Sequence, residues 1–305
     1  MFKNRAQFEI LCFLEKNGNG VYSLREIADT ILFPGNVVQE ELTHLVEEGL
    51  LQMNEGVLSI TESGLTALEP YRVKRALIMA AGFGSRMVPV TLDRPKPLVK
   101  VNGRRIIDTL LDAFVSKGIR DITIIRGYKK EKFDELLIKY PFLKFVDNDA
   151  YDKTNNISSM NRVIEQIDCC YICEADFYIT NPDVITKYHY TSDYLGAAVL
   201  ETDDWCYDLA NGHITNYRKG GRYCWNAYGI SFWNEADCRQ LRKDLAETYR
   251  QPEGKDIFWE FVPLVKNREQ YKVEVHPCQK KDIMEIDNFY ELVQLDPSYK
   301  DYDKR

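Results

Sequence analysis

Apolar residues in the first part of the chain recur at the spacing of short amphipathic helices. Phe8, Leu11 and Leu14 lie about one turn apart, and Ser23 precedes a second apolar stretch with Glu26 three residues later, as in a capping box. The pattern predicts, in order, helices near residues 8–14, 24–32 and 37–49, a hairpin of strands 51–54 and 57–60, and a last helix from residue 61. Three helices, a two-stranded wing and a further helix are typical of a winged helix, which we expect over residues 1–72.

From residue 76 onwards the pattern changes to buried strands that alternate with amphipathic helices. It predicts strands at 76–80, 121–126, 143–146 and 169–174, and helices at 106–117, 129–139 and 157–166. Beyond Tyr194 the chain becomes richer in strands and aromatic residues, with helices expected near 235–249 and 256–265. Because such alternation is typical of parallel sheets covered by helices, we expect residues 73–305 to form an α/β domain with a mostly parallel sheet.

The composition excludes several classes of protein. Of the 305 residues, 45% are hydrophobic and 29% are charged, which is typical of a globular chain and not of a disordered or fibrous one. The sequence contains no apolar run of the roughly 18 residues that a membrane helix needs, and residues 1–19 do not resemble a signal peptide. The eight cysteines form no paired CxxC framework, so we expect a cytoplasmic protein without a membrane partner.

The excess negative charge is concentrated in the first 70 residues, which carry four basic and eleven acidic side chains. The predicted third helix contains Glu40, Glu41, Glu47 and Glu48 but no lysine or arginine. Because DNA affinity comes largely from basic residues that neutralise phosphates, we expect no nucleic-acid partner. The first domain is interpreted as an interaction, dimerisation or ligand-sensing module, through which the protein could form a homo-oligomer.

A glycine-rich loop directly after the first strand of the α/β domain carries the strongest chemical signal. Its sequence is Ala80-Ala81-Gly82-Phe83-Gly84-Ser85-Arg86, and Pro95-Lys96-Pro97-Leu98 follows. Glycines allow backbone N–H groups to approach phosphate oxygens, and the Arg86 and Lys96 side chains supply cationic donors to a polyphosphate. The two glycines alone would fit an ordinary turn equally well. The loop is neither a P-loop nor a dinucleotide-binding fingerprint.

This combination resembles the nucleotidyltransferases that activate sugar phosphates, and within them the bacterial CTP:phosphocholine cytidylyltransferases. The resemblance covers about residues 75–295 and is supported by the stretches Asn155–Ser159, Glu174–Asp176, Tyr228–Trp233, Asp256–Trp259 and Met284–Asp287. It implies a Rossmann-like nucleotidyltransferase fold with a mostly parallel mixed sheet, here preceded by the winged-helix domain. Family members often have aspartate where this chain has Glu174, which we therefore leave out of the ligand set.

The resemblance also implies a set of site residues. Asp176 and Asp287 would bind Mg²⁺, and Arg86 and Lys96 would act in catalysis; taken alone, Asp287 could instead be the N-cap of a helix. The nucleotide site would comprise Ala80, Ala81, Gly82, Gly84, Ser85, Asn155 and Asn156. A quaternary ammonium requires aromatic faces and carboxylates, and the choline pocket would comprise Trp205, Asp256, Phe258, Trp259 and Glu285.

The implied reaction converts CTP and phosphocholine into CDP-choline and pyrophosphate. Two alternatives stay open at this point. The same chemistry could act on a sugar 1-phosphate or another phospho-alcohol, or the chain could be a winged-helix DNA-binding regulator. The acidity of residues 1–70 argues against the regulator.

Overall fold

The computed structural model describes residues 2–302, which divide into two compact units. The first comprises the chain up to Arg72 together with Tyr188–Tyr190, and the second comprises Val73–Lys187 and the chain from Thr191 onwards. The outer limits predicted for the two domains, residues 1 and 305, lie outside the described residues. The sequence pattern gave no indication that a three-residue segment from the α/β region belongs to the first unit.

The first unit consists of three helices, a hairpin and a fourth helix. These elements are α1 (Arg5–Asn17), α2 (Leu24–Ile31), α3 (Gly35–Glu47), β1 (Leu51–Asn54), β2 (Val57–Ile60) and α4 (Glu62–Leu68). The Ser23 hydroxyl accepts a hydrogen bond from the Glu26 N–H and so caps α2 as the sequence predicts. The ring of Tyr190 stacks on Tyr71 with centroids 5.7 Å apart, so this distant segment completes the packing of the first unit. The assignment of the unit as a winged helix remains a prediction.

One of the acidic residues predicted on α3 does not face solvent. The Glu41 carboxylate accepts hydrogen bonds from the Asn4 side chain at 2.6 Å and from the Gln7 side chain at 2.8 Å. Burial opposes ionisation of Glu41, but these bonds and a contact with His44 outweigh it and lower its pKa. Glu41 therefore ties α3 to α1, and the acidic surface of α3 consists of fewer glutamates than the sequence suggests.

The second unit contains a long antiparallel ribbon in addition to the alternating strands and helices. Its helices are α5 (Ile106–Ser116), α6 (Ile157–Arg162), α7 (Glu235–Arg250) and α8 (Phe289–Leu295). Its strands are β3 (Arg75–Ala80), β4 (Lys100–Val101), β5 (Arg104–Arg105), β6 (Ile122–Arg126), β7 (Lys144–Asp147), β8 (Cys170–Glu174), β9 (Phe177–Ile179), β10 (Asp193–Ala210), β11 (His213–Trp233), β12 (Glu274–Pro277) and β13 (Ile283–Glu285). Among residues 2–302, none of the helices has the length and apolar character that crossing a bilayer requires.

A seven-stranded mixed sheet forms the centre of the second unit, in the order β10-β12-β11-β8-β3-β6-β7. Strands β8, β3, β6 and β7 run parallel to one another, whereas β11 pairs with β8 in the antiparallel sense. The predicted mostly parallel sheet is therefore confirmed. Because β3 runs parallel to both of its neighbours, β8 and β6, the loop that follows it lies at their common carboxyl edge, where open α/β sheets bind ligands.

Each face of the sheet is covered by its own apolar cluster. Leu110 and Phe114 of α5 pack on one face, and Leu241 of α7 packs on the other. Cys173 belongs to the first cluster and Cys170 to the second, as strand alternation requires, and all eight cysteines are free thiols. The cysteines of β8 are therefore core residues.

Two of the predicted helices have a different structure. Residues 130–138 form a 3₁₀ helix, and the segment predicted as a helix over 256–265 is irregular up to a short π-helix at Val262–Lys266. Side chains from another segment bind the backbone there. The side-chain oxygen of Asn156 accepts from the backbone N–H of Trp259, and the side-chain amide of Asn155 donates to the backbone carbonyl of Asp256. These bonds compete with helical hydrogen bonding and prevent the segment from forming a regular helix.

Candidate active site

The glycine loop after β3 packs tightly on one side and is open on the other. Gly84 has a φ of +63°, and a Cβ at this position would lie 2.8 Å from the Lys96 Cβ, so only glycine fits. A Cβ at Gly82 would meet no atom within 4 Å. The backbone at Gly82 therefore borders free space, and a ligand can approach its N–H groups closely.

That space is a cavity of about 380 Å³, which we call the loop cavity. Its wall contains the residues that the sequence analysis assigned to the nucleotide, to catalysis and to the metal: Ala80, Ala81, Gly82, Gly84, Ser85, Arg86, Lys96, Asn155, Asn156, Asp176 and Asp287. The structure thus brings together residues that are spread over two thirds of the chain.

Two cations and two carboxylates meet at one end of the loop cavity. The Lys96 Nζ lies 2.9 Å from Asp176 Oδ2 and 3.5 Å from Asp287 Oδ1, and the Arg86 guanidinium donates two hydrogen bonds of 2.8 Å to Asp287. Burial works against the charge of Lys96, but the carboxylates of Asp176, Asp287 and Glu285 outweigh it and raise the pKa of the ammonium. Lys96 is therefore a cation at neutral pH and lies near the predicted metal ligands.

The pairing of two short strands brings the carboxylates together. Strand β9 begins directly after Asp176, and it pairs with β13, in which Glu285 lies opposite Phe177. Asp287 follows β13, so this pairing places it beside Asp176 although 110 residues separate them in sequence. The N-cap interpretation of Asp287 is wrong, because the side chain of Asn288 accepts the capping bond of α8.

The carboxylate cluster has the chemistry of a divalent-cation site. Oxygen atoms of Asp176, Glu285 and Asp287 all lie within 4.8 Å of one another. Asp176 Oδ1 is buried and has no hydrogen-bond partner among the described residues. A buried carboxylate oxygen without a partner is costly, and oxygen ligands of this kind suit Mg²⁺. The residues present therefore fit such an ion.

A second cavity, of about 760 Å³, adjoins the loop cavity, and we call it the aromatic cavity. Arg86, Glu174, Asp176 and Asp287 line both cavities. Its apolar wall contains Trp205, whose ring stacks on Tyr217 at 5.2 Å and meets the edge of Phe258 at 5.6 Å. Two predicted pocket residues, Trp205 and Phe258, thus lie together, and Glu285 lines the same cavity.

Two other residues predicted for the choline pocket lie elsewhere. Trp259 is 1% exposed and packs against Trp233 in the core, with ring centroids 5.8 Å apart. The bond from the Trp259 N–H to Asn156 holds the backbone at this position, and the indole lies in the apolar cluster under the sheet. Asp256 is exposed and lines neither of the two cavities. The assignment of Trp259 and Asp256 to the pocket is therefore corrected.

Several lining residues of the aromatic cavity were not predicted as site residues. They are Glu174, which was left out of the ligand set, and Asp204, Tyr217 and Glu260. Burial raises the pKa of Glu174 well above its usual range, helped by nearby Asp176, and burial raises the pKa of Glu260 to about 7. Glu174 had a visible signal, since it precedes Asp176 at the end of a strand. Glu260 had no such signal, because its position depends on the irregular segment to which the Asn156 side chain is hydrogen-bonded.

A glycine makes room for Glu174 in this wall. A Cβ at Gly229 would lie 2.7 Å from a Glu174 carboxylate oxygen, so a larger residue on β11 would displace that carboxylate. Together with Asp204, Glu260 and Glu285, Glu174 gives the aromatic cavity a concentration of acidic groups beside aromatic rings. The cavity is therefore suited to a small cationic group.

Comparisons with known proteins agree with this geometry. Residues 75–194 match the family model of the Nucleotidyl transferases. The chain is 34% identical over 229 residues to the 2-aminoethylphosphonate cytidylyltransferase of Lancefieldella rimae, which spans 73% of this chain and 92% of the relative. It is 32% identical over 233 residues to the choline-phosphate cytidylyltransferase of Streptococcus pneumoniae, which spans 74% of this chain and 98% of the relative.

A solved structure matches the fold as well. The CTP:phosphocholine cytidylyltransferase from Streptococcus pneumoniae superposes with a TM-score of 0.69 at 30% sequence identity, over 74% of this chain and 99% of that one. The predicted nucleotidyltransferase fold is therefore confirmed for the second unit. With the mixed sheet, the glycine loop and the carboxylate cluster in the arrangement described above, the chain belongs to the nucleotidyltransferase family.

Proposed function

We propose that the protein transfers CMP from CTP to a small phosphate or phosphonate that carries an ammonium group, and releases pyrophosphate. The observation that carries this proposal is the junction of the two cavities. The loop cavity offers backbone and cations to a triphosphate, the aromatic cavity offers rings and carboxylates to a cation, and Arg86 and Asp176 line both. The relatives described above, both cytidylyltransferases, support CTP as the nucleotide.

In the proposed reaction an anionic oxygen of the acceptor attacks the α-phosphorus of CTP. The new P–O bond forms as the bond from the α-phosphorus to the bridging oxygen of the β-phosphate breaks, and pyrophosphate leaves with that electron pair. The attacking oxygen is already ionised at neutral pH, so no general base is needed. The protein then acts by orientation and by charge: the loop at Gly82 supports the phosphates, and Lys96 and Arg86 neutralise the departing pyrophosphate.

Mg²⁺ belongs to this proposal as a cofactor. Asp176 and Asp287 would hold it, with Glu285 close enough to assist. When bound, such an ion reduces the repulsion between the two phosphate groups that react. The Arg86 guanidinium donates to Asp287 at 2.8 Å, so it lies beside this ion site, where it would also contact phosphate oxygens.

The identity of the ammonium group separates two candidate acceptors. Phosphocholine carries a trimethylated ammonium, which needs aromatic faces, and Trp205 with Phe258 supports this acceptor. 2-Aminoethylphosphonate carries a primary ammonium, which needs hydrogen-bond acceptors, and the side-chain oxygens of Glu174, Asp204 and Glu260 support that one. We propose phosphocholine as the acceptor, with 2-aminoethylphosphonate as the second candidate.

A matrix of pyrophosphate-release assays tests the function. CTP, UTP, ATP and dTTP would each be combined with phosphocholine, phosphoethanolamine, 2-aminoethylphosphonate and glucose 1-phosphate. The proposal expects turnover with CTP and one or more of the three ammonium acceptors. Turnover confined to glucose 1-phosphate would contradict the ammonium site while leaving the transfer chemistry intact.

We expect Trp205→Ala to weaken the acceptor and to leave CTP almost unaffected. A cation–π contact contributes about 0.5–2 kcal/mol, so KM for phosphocholine should rise roughly two- to thirtyfold. Tyr223→Ala is the matched control, because Tyr223 is an aromatic residue of the same ribbon that is 84% exposed and lines neither cavity. Equal effects of the two variants on KM would remove Trp205 from the acceptor site.

Acceptor binding should also depend on pH through Glu260. Its pKa is raised to about 7, so the carboxylate is mostly neutral below this pH and ionised above it. Affinity for the ammonium acceptor should therefore increase as pH rises from 6 to 8. The acceptor's own phosphate titrates near pH 6, so the test is the difference between wild type and Glu260→Gln. The affinity for the acceptor should depend less on pH in the variant than in wild type. The same pH dependence in both proteins would contradict the role of Glu260.

The first unit has a separate role in this proposal. All the lining residues of both cavities belong to the second unit. We therefore propose that the first unit serves interaction, dimerisation or ligand sensing, as its acidic sequence suggests, and that it takes no part in the chemistry.

A further inference from the structure

A buried asparagine forms several hydrogen bonds in one wall of the loop cavity, on the side away from the carboxylates. Asn148 follows β7 and is 1% exposed, yet it lines the cavity. Its side-chain carbonyl accepts from the Ala150 N–H, and its amide donates to the hydroxyls of Ser158 at 2.9 Å and Ser159 at 3.1 Å. Both amide protons of Asn148 are therefore used in hydrogen bonds, and the oxygen of each serine hydroxyl accepts one of them.

The two serines differ in whether the hydroxyl proton is still available to a ligand. Ser158 donates its own proton to the carbonyl of Asn155, so its hydroxyl is satisfied inside the protein. Ser159 is 3% exposed, and within residues 2–302 its hydroxyl proton has no acceptor. Because the Asn148 amide donates to the Ser159 oxygen, the hydroxyl proton points away from Asn148, and Ser159 lines the loop cavity.

The position of Ser159 along the sheet indicates which part of a nucleotide it would meet. Asp176 follows β8, whereas Asn148 follows β7, and the strand order β8-β3-β6-β7 places three strand spacings between them. At about 4.8 Å per spacing this is roughly 14 Å. In a nucleoside triphosphate the base lies at the opposite end from the phosphates. With the phosphates beside Asp176, the base therefore falls near Asn148 and Ser159.

We propose that the Ser159 hydroxyl donates a hydrogen bond to N3 of the base and, oriented by Asn148, makes the site prefer cytosine to uracil. Cytosine N3 carries a lone pair that accepts the Ser159 proton. Uracil N3 carries a hydrogen, which the Ser159 oxygen can accept only if its own proton turns away from the base, where it has no acceptor among residues 2–302. Ser159 is thus a specificity-determining residue and Asn148 a positioning residue. This inference rests on the proposed cytidylyltransferase function.

Calorimetric titration of the full chain with CTP and with UTP tests the inference. Ser159→Ala should weaken CTP binding roughly three- to tenfold, the effect of one hydrogen bond, and change UTP binding less than about twofold. Asn148→Asp should act in the same direction, because an aspartate of the same shape accepts the Ser159 proton and withdraws it from the base. Ser116→Ala is the matched control, since the Ser116 hydroxyl donates to a carbonyl of its own helix α5.

The outcomes separate this inference from the function on which it rests. If wild type prefers CTP and Ser159→Ala retains the full preference, the inference is overturned and the function stands. Equal weakening of CTP and UTP would also overturn it, because a ribose or structural contact does not distinguish the bases. If wild type shows no preference for CTP, the proposed function and the inference fall together.

Discussion

Replacing Asp176 with asparagine is expected to lower kcat for CTP turnover by about 10²–10³, the usual cost of losing one preorganised charge contact at a reacting phosphate. The substitution keeps the shape of the side chain but removes the charge that pairs with Lys96 at 2.9 Å and that would bind Mg²⁺. Pyrophosphate release under saturating CTP and acceptor measures the effect. The Mg²⁺ concentration needed for half-maximal activity should rise in the variant as well.

Asp134→Asn provides the control for this prediction. Asp134 is an exposed carboxylate that pairs with Arg126 at 2.6 Å and lines neither cavity. Its substitution should leave kcat within about twofold of wild type, since exposed ion pairs contribute little. Near-normal turnover of the Asp176 variant, or full activity of the wild type in EDTA, would contradict the metal assignment.

Replacing Lys96 with methionine is expected to affect turnover and stability together. Lys96 is 8% exposed and is the nearest cation to Asp176. Its loss should lower kcat by about 10²–10³ and, because the acidic groups around it lose their counter-charge, lower the free energy of unfolding by about 3 kcal/mol. The pKa of Lys96 is raised above its usual 10.5, so this stabilisation is complete at neutral pH and is lost only as pH rises through the higher value.

Lys144→Met tests whether the loss is specific to this buried position. Lys144 is exposed and pairs with Asp121 at 2.7 Å, and its removal should cost less than about 1 kcal/mol without changing kcat. Urea denaturation at pH 7 measures both variants. Equal stability of wild type and Lys96→Met would mean that the carboxylates do not depend on Lys96 for charge compensation.

Local sequence patterns predicted most of the fold and one half of the site. The alternation after residue 76 predicted the parallel strands, because buried strands and amphipathic helices have different periods. The glycine loop and its two cations were recognisable because they lie close together in sequence, as Gly82, Gly84, Arg86 and Lys96. The proximity of Asp287 to Asp176 was not recognisable from the sequence, because it depends on the pairing of β9 with β13.

The aromatic cavity was predicted less well because it depends on long-range hydrogen bonds. Phe258 and Trp259 are neighbours of similar chemistry, and the sequence did not indicate which of them faces the cavity. The bond between Asn156 and the Trp259 N–H belongs to a segment that was expected to be helical, and Trp259 lies in the core. Asn156 also donates to Glu260, so one predicted nucleotide residue positions a lining residue of the second cavity that the sequence did not reveal.

The measurement that tests the central proposal most directly is ³¹P NMR of the full protein with CTP, Mg²⁺ and either phosphocholine or 2-aminoethylphosphonate. We expect loss of the three CTP signals and the appearance of free pyrophosphate together with a product whose two phosphorus atoms are coupled through one bridging oxygen. With phosphocholine both coupled signals would be phosphates, and with 2-aminoethylphosphonate one would be a phosphonate. If CTP stays intact with both acceptors, or is converted to CMP and pyrophosphate with no coupled product, the proposed transfer is contradicted.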